Sequence, residues 1–283
     1  MLAYPALSRR RFLQLGAASA VAGAGLYAWR WEPHWVEVVR RDLPVARLPA
    51  HLSGETLVQL SDIHVGPEVD DDYLLDCFEA VRRLDPAFVV VTGDYMTCRR
   101  DEQLGHALRV LSRLPHGRRG TFGVLGNHDY GLHHGDGDVA DRLTAGLRDV
   151  GVTVLRNERR AAAGLTFVGL DDFWARAFDP RTALAGLDPA GAHLALCHNP
   201  DAADEPGWGD YRGWILAGHT HGGQCRPPFL PPPRLPVRNR RYVAGEVELH
   251  GGRRMYINRA LGHLLRVRFN VRPEITAFNL TAA

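Results

Sequence analysis

The stretch Gly126-Asn127-His128-Asp129 directly follows Thr121-Phe122-Gly123-Val124-Leu125, a run of strand-forming residues. It sets an amide oxygen, an imidazole and a carboxylate where the chain leaves a sheet. An Asn carbonyl oxygen suits a hard or borderline cation, and an imidazole beside a carboxylate suits proton transfer. Alone, the tetrapeptide reads equally well as a turn, because Gly, Asn and Asp are what turns prefer. Its weight comes from four more segments built the same way. Thr56-Leu57-Val58-Gln59-Leu60 runs into Ser61-Asp62-Ile63-His64, and Phe88-Val89-Val90-Val91 into Thr92-Gly93-Asp94. His193-Leu194-Ala195-Leu196-Cys197 runs into His198-Asn199-Pro200, and Trp214-Ile215-Leu216-Ala217 into Gly218-His219-Thr220-His221.

Groups at the carboxyl ends of strands in an open α/β sheet converge on one crevice. That places Asp62, His64, Asp94, Asn127, His198, His219 and His221 together, seven oxygen and nitrogen donors without a cysteine among them. A single structural zinc takes four ligands and is usually rich in Cys, so two cations sharing a carboxylate account better for the set. His128 beside Asp129 is then the candidate for proton transfer.

The rest of the chain alternates strand and helix patterns, as expected for one mixed α/β domain. Two short strands are expected over 36–40 and 45–48 on either side of Pro44. Apolar residues at helical spacing predict helices over 71–84, 102–114, near 139–150 and over 181–187. Further strands are expected over 152–155, 165–170, 255–258 and 274–280. Residues 222–241 carry Pro227-Pro228 and Pro231-Pro232-Pro233, which fit neither a helix interior nor a central strand, and read as a stiff loop near the site. His133 and His134 lie in a polar loop and read as solvated; His106, His116, His193, His250 and His263 read as structural or surface residues. Trp208 and Tyr211 are candidates for an aromatic wall at the mouth, whereas Trp214, which begins a strand, reads as core. Arg238, Arg240 and Arg241 read as a solvated face, with phosphate contact as the sharper alternative.

The first thirty residues read as a leader. Ser8-Arg9-Arg10-Arg11-Phe12-Leu13 precedes a small-residue apolar run up to Trp29, with Ala20-Val21-Ala22 and Ala22-Gly23-Ala24 as cleavage sites. This is similar to a twin-arginine export signal, either cut or kept as an N-terminal anchor. Without residues 1–30, which hold four arginines and no acid, the chain has 30 basic against 32 acidic residues, too balanced for a nucleic-acid binder. Cys77, Cys98, Cys197 and Cys225 show no CxxC spacing and are expected as buried thiols, a bridge between Cys197 and Cys225 being the alternative.

The motifs Asp62-Ile63-His64, Gly93-Asp94, Gly126-Asn127-His128-Asp129, His198 and Gly218-His219-Thr220-His221 resemble those of the calcineurin-like metallophosphoesterases. His198-Asn199-Pro200-Asp201, Gly222-Gly223-Gln224, Arg259-Ala260-Leu261-Gly262 and Arg272-Pro273-Glu274-Ile275 are similar to an exported bacterial branch that includes envelope phosphodiesterases and UDP-2,3-diacylglucosamine hydrolases. Ala260 departs from that pattern, which has glycine there. The resemblance implies a four-layer α/β/β/α sandwich with two mixed β-sheets over residues 31–283. It implies one divalent metal ion on Asp62, His64 and His221, a second on Asn127, His198 and His219, and Asp94 bridging them. Zinc, manganese and iron all suit these donors. His128 would be the acid and Asp129 would orient it. The implied function is hydrolysis of phosphodiester or pyrophosphate bonds in an envelope lipid, nucleotide-sugar or cell-wall substrate. A phosphomonoesterase or nucleotidase, and a non-catalytic metal-binding scaffold, are the alternatives. Expected partners are a phosphorylated small-molecule or lipid substrate, the twin-arginine machinery, and a membrane met through the N-terminal segment, with the protein exported to the periplasm or cell envelope.

Overall fold

The apolar run before each candidate ligand forms a strand, but these strands belong to two sheets rather than one. The computed structural model describes residues 8–97 and 102–283, so Cys98 lies outside the described residues. In chain order the elements are α1 (Arg9–Leu26), β1 (Glu37–Val45), β2 (Thr56–Leu60), α2 (Asp71–Arg82), β3 (Phe88–Thr92), α3 (Glu102–Leu111), β4 (Gly120–Val124), α4 (Gly137–Asp149), β5 (Thr153–Val154), β6 (Glu158–Ala162), β7 (Leu165–Gly169), α5 (Pro180–Leu184), β8 (Ala192–Leu196), β9 (Trp214–Ala217), β10 (Gly245–Glu248), β11 (Arg254–Ile257) and β12 (Glu274–Ala282).

The first sheet has the order β1-β12-β2-β3-β4-β5 and the second β10-β11-β9-β8-β7-β6. Strands β2 to β5 run parallel, with β12 antiparallel to β2. Strands β7, β8, β9 and β11 run parallel, flanked by antiparallel β6 and β10. Both sheets are therefore mixed. Phe88, Val90, Phe122 and Val124 of the first sheet share one core with Phe167, Leu194, Leu196 and Leu216 of the second. Phe122 and Phe167 stack across it with ring centroids 4.2 Å apart. Val89 and Val91 face the other way, into a core formed with α2, α3 and α4. Alternate residues of β3 thus bury into two different cores, which is why the strand reads as continuously apolar. A third core, with Val168, Ala195 and Ile215, packs under Ala183, Trp208 and Tyr211. The four layers expected from the resemblance are present.

One expectation needs correction, and two strands are additional. Residues 36–40 and 45–48 do not form two strands around Pro44; Glu37–Val45 is one strand, with Pro44 opposite Thr281. It lies at the sheet edge, where a missing N–H is tolerated. Strands β6 and β10 were not expected, since Glu158–Ala162 and Gly245–Glu248 are polar and largely exposed. Both are edges, held by backbone pairing to one neighbour and not by an apolar face.

Helix α1 has Ser8 at its N-cap and buries none of its residues. The chain meets the sandwich at Ala28, whose carbonyl accepts the Arg268 N–H at 2.8 Å, and at buried Glu32, which accepts the Asn270 and Val271 N–H groups. No helix of the described residues is long and apolar enough to cross a membrane. Cys77, Cys197 and Cys225 are free thiols, the first two buried.

Candidate metal centre

Packing two sheets face to face brings the carboxyl ends of β2, β3 and β4 next to those of β8 and β9. Asp62, His64, Asp94 and Asn127 come from the first sheet, and His198, His219 and His221 from the second. All seven are buried. The six imidazoles and carboxylates fall into two groups, Asp62 with His64 and His221, and Asp94 with His198 and His219. Each group takes donors from both sheets. Asp94 lies between them, its Oδ2 3.6 Å from His64 Nε2 and 3.2 Å from His198 Nε2.

The local backbone is unusual. Asp62, His64, Asp94, His219 and His221 all have positive φ, between 50° and 69°. A non-glycine residue there costs about 1–2 kcal/mol, so the turns after the strands store strain where the donors sit. Glycines make room for them. A Cβ on Gly93 (φ 87°) would come within 2.7 Å of Gly126 N and His198 Nδ1, and one on Gly218 within 2.5 Å of Asp62 Oδ2.

Hydrogen bonds leave a defined nitrogen of two of the rings for the centre. His198 Nδ1 donates to the Thr92 carbonyl at 2.8 Å and His219 Nε2 to the Pro236 carbonyl at 2.9 Å. A carbonyl can only accept, so these bonds set the tautomers. The remaining atoms, His198 Nε2 and His219 Nδ1, face each other at 3.1 Å, two lone pairs whenever both rings are neutral. His64 and His221 meet through their Nε2 atoms at 3.2 Å, with His64 Nδ1 on Thr97 Oγ1 and His221 Nδ1 buried without a partner. Opposed lone pairs repel unless a positive charge lies between them. Asp62 Oδ1 and Asn127 Oδ1 are buried with no hydrogen-bond partner. Buried acceptors without donors are costly, and a cation satisfies them. The residues present therefore fit two metal ions.

The electrostatics agree. Burial pushes the Asp62 and Asp94 carboxyls up, but the imidazoles around them, His221 for one and His198 for the other, outweigh it and hold both well below the ordinary range. Burial lowers His64 far below its ordinary value and His219 to about 3, leaving both neutral as metal ligands must be. His198 is also depressed by burial, yet Asp94 and Asp62 overcome this and raise it. Two buried carboxylates thus draw positive charge into the centre.

His128 is half-buried beside this cluster, its ring centroid 5.2 Å from that of His64, and its backbone N–H donates to Asp94 Oδ1 at 2.8 Å. The expectation that Asp129 orients the His128 ring is corrected. Both Asp129 oxygens are taken by backbone: Oδ1 accepts from Tyr95 and Met96 N–H, and Oδ2 from Gly126 N–H at 2.9 Å. A buried carboxylate among three amide donors binds them in preference to a side chain on the next residue. Asp129 pins the turns after β3 and β4 together.

Other corrections concern the rim. His134 is half-buried at the rim: its ring lies 4.7 Å from that of His128 and its Nε2 3.4 Å from Asn127 Nδ2. Its place just after the tetrapeptide was the available signal. Trp208 and Tyr211 form no wall at the mouth. With Trp214 they line a cavity of about 950 Å³ at the start of β8 and β9, away from the metal centre. The aromatic residue at the mouth is Trp174, with ring centroids 4.5 Å from His219 and 6.1 Å from His134. Fully buried Asp172 shapes that turn, accepting the Ala175 N–H at 2.7 Å, and burial raises its carboxyl to about 6. The 222–241 loop does lie at the site, through Pro236.

Residues 56–223 match the calcineurin-like phosphoesterase family. Over 97% of this chain and 99% of the relative, the sequence is 33% identical to Phosphodiesterase YaeI of Escherichia coli (strain K12). It is 32% identical to the uncharacterized metallophosphoesterase YkuE of Bacillus subtilis (strain 168), over 97% and 98% of the two chains. It is 28% identical to UDP-2,3-diacylglucosamine pyrophosphatase LpxG of Chlamydia trachomatis serovar D, over 93% and 97%. With the two donor groups in place at the strand ends, these matches lead to one conclusion: the chain belongs to the calcineurin-like phosphoesterases and is a metal-dependent phosphoric ester hydrolase.

Proposed function

We propose that the protein cleaves a phosphodiester or pyrophosphate bond in an envelope lipid, nucleotide-sugar or cell-wall compound outside the cytoplasm. The observation that carries this reading is the pair of donor groups with Asp94 between them and His128 at their side. Asp62, His64 and His221 would hold one divalent ion and Asn127, His198 and His219 the other, with Asp94 shared; zinc, manganese and iron suit the donors. Bound there, the ions supply Lewis acidity toward a phosphoryl oxygen and activate water. His128 gives its proton to the leaving oxygen. Asp94 fixes the backbone of His128 through Oδ1 while Oδ2 faces both imidazole sets. Trp174 and His134 line the mouth beside His219 and His128. Relatives named as a phosphodiesterase and as a UDP-2,3-diacylglucosamine pyrophosphatase, aligned nearly end to end, support a diester or diphosphate over a monoester.

The test is metal analysis of the purified protein combined with a panel of chromogenic mono- and diesters, nucleotide-sugars and lipid-linked diphosphates. Turnover of diesters or diphosphates well above monoesters is expected. Preference for monoesters makes the protein a phosphatase or nucleotidase, and less than one equivalent of metal with no turnover makes it a scaffold. Arg9 and Arg10, on the twin-arginine reading, direct export through the twin-arginine machinery. Arg9→Lys with Arg10→Lys then leaves the protein in the cytoplasm, and normal secretion of that variant removes the assignment.

A further inference from the structure

Three segments distant in sequence meet beside the metal centre, and each leaves large apolar side chains in solvent. At the exit of α1, Trp29 and Trp31 are exposed while Ala28 is buried. In residues 264–272, Leu265 and Val267 are exposed. In the proline-rich loop, Phe229 is fully exposed and Leu230 mostly so. The middle segment ties the other two. Arg268 N–H donates to the Ala28 carbonyl at 2.8 Å, Phe269 N–H to the Gln224 carbonyl at 3.0 Å, and Arg226 N–H to the Phe269 carbonyl at 2.8 Å.

The proline-rich loop is built to present its tip. Pro227-Pro228 and Pro231-Pro232-Pro233 fix backbone torsions on both sides of Phe229 and Leu230. Phe229 has φ 65°, a conformation a bulky residue adopts rarely and at a cost. Strain spent on keeping a Phe in water contributes nothing to the domain's own core. Charge points the same way. Residues 224–241 contain five arginines and residues 264–272 three; of these Arg268 is buried, Arg238 pairs with Glu205 and Arg266 with Asp70. Arg226 and Arg234 are exposed at the two ends of the proline-rich tip. Exposed indoles, apolar tips and exposed arginines at the ends of the tip make the combination that settles into the headgroup region of anionic membranes. The loop is fastened to the metal centre at both ends, leaving from His221 and returning at Pro236, whose carbonyl accepts from His219.

We propose that this face docks on an anionic phospholipid bilayer. Phe229, Leu230, Leu265 and the two indoles enter the boundary between headgroups and acyl chains, and the mouth of the metal centre lies at headgroup level. A phosphodiester or diphosphate carried by a membrane lipid is then presented directly to the site. Only this last step rests on the substrate reading above.

The test is co-sedimentation of the full-length protein with vesicles of phosphatidylcholine and phosphatidylglycerol in equal parts, and with phosphatidylcholine alone. Wild type is expected to bind the anionic vesicles more tightly. Phe229→Ser with Leu230→Ser should lower the partition coefficient at least about tenfold, the two side chains no longer leaving water. Arg226→Gln with Arg234→Gln should weaken binding to the anionic vesicles only. Turnover of a soluble chromogenic diester should be unchanged in both. If the Ser variant loses turnover as well, Leu265→Ser and the Gln variant decide in its place. Vesicle binding that none of these substitutions reduces, or wild type that stays in the supernatant, overturns the docking face. Loop-dependent binding without cleavage of any lipid diphosphate leaves the docking face standing and removes the lipid substrate; cleavage in detergent without binding does the reverse.

Discussion

At the residue scale, His128 and Asp129 separate a chemical role from a structural one. On the proposed role His128→Asn keeps both metals and loses roughly 10²- to 10⁴-fold in kcat, measured with metal content on the same sample. Asp129→Ala is expected to act on stability instead, because three buried N–H groups lose their acceptor. At about 1–3 kcal/mol for each unsatisfied group, urea unfolding should show a loss of at least about 3 kcal/mol. Ala260 offers a gain. It is fully buried at φ 70°, which accounts for glycine being the residue expected there. Ala260→Gly relieves the left-handed strain and should raise stability by up to about 1 kcal/mol in the same measurement, the cost of a freer unfolded chain included. A stability loss on this substitution would show that the alanine methyl packs more favourably than the backbone strains.

At the element scale, what matters is the turn after each strand. Gly93 lets β3 deliver Asp94 beneath the β4 turn, where a methyl group would meet both Gly126 N and the His198 ring. Gly93→Ala should therefore lower the melting temperature and the bound metal together, by ~1–3 kcal/mol of strain in the first case. Bound metal at the wild-type level in a destabilised variant would uncouple the turn from the centre. The strands that carry donors were legible because they are central and apolar on both faces. The edge strands β6 and β10 were not, since a polar strand held by backbone pairing leaves no periodic apolar pattern. Nor could sequence place Trp174 at the mouth, which depends on a turn held by Asp172.

At the scale of the whole molecule, the metal centre is a clasp between two sheets. Each donor group draws on both, so metal binding favours the assembled sandwich over the unfolded chain. Chelation should lower the melting temperature, and restoring zinc or manganese should recover it. A second global lever is His263, buried with Nε2 donating to the Glu68 carbonyl at 2.8 Å. Burial, and then the Arg268 guanidinium, lower its imidazole from the ordinary 6.5 to about 3. The unfolded chain therefore binds a proton that the folded one refuses. The stability this group contributes is complete above pH 6.5 and is lost as pH falls toward 3, at up to ~1.4 kcal/mol per pH unit. His263→Gln, which keeps a donor for the carbonyl, should flatten that part of the stability profile relative to wild type. Parallel profiles would assign the acid sensitivity to other groups.

From residues alone came the donor set, the central strands, the loop beside the site and the family. Each is written locally, as an apolar run ending in a group with lone pairs, and backbone geometry forces such a group to emerge at a strand's end. Which sheet each strand joins, and that the donors of one group come from both sheets, was settled only in three dimensions. So were the partners of Asp129 and the place of His134 and Trp174. These depend on which surfaces pack together, and a carboxylate bonds to whatever donors packing brings nearest, not to its neighbour in the chain.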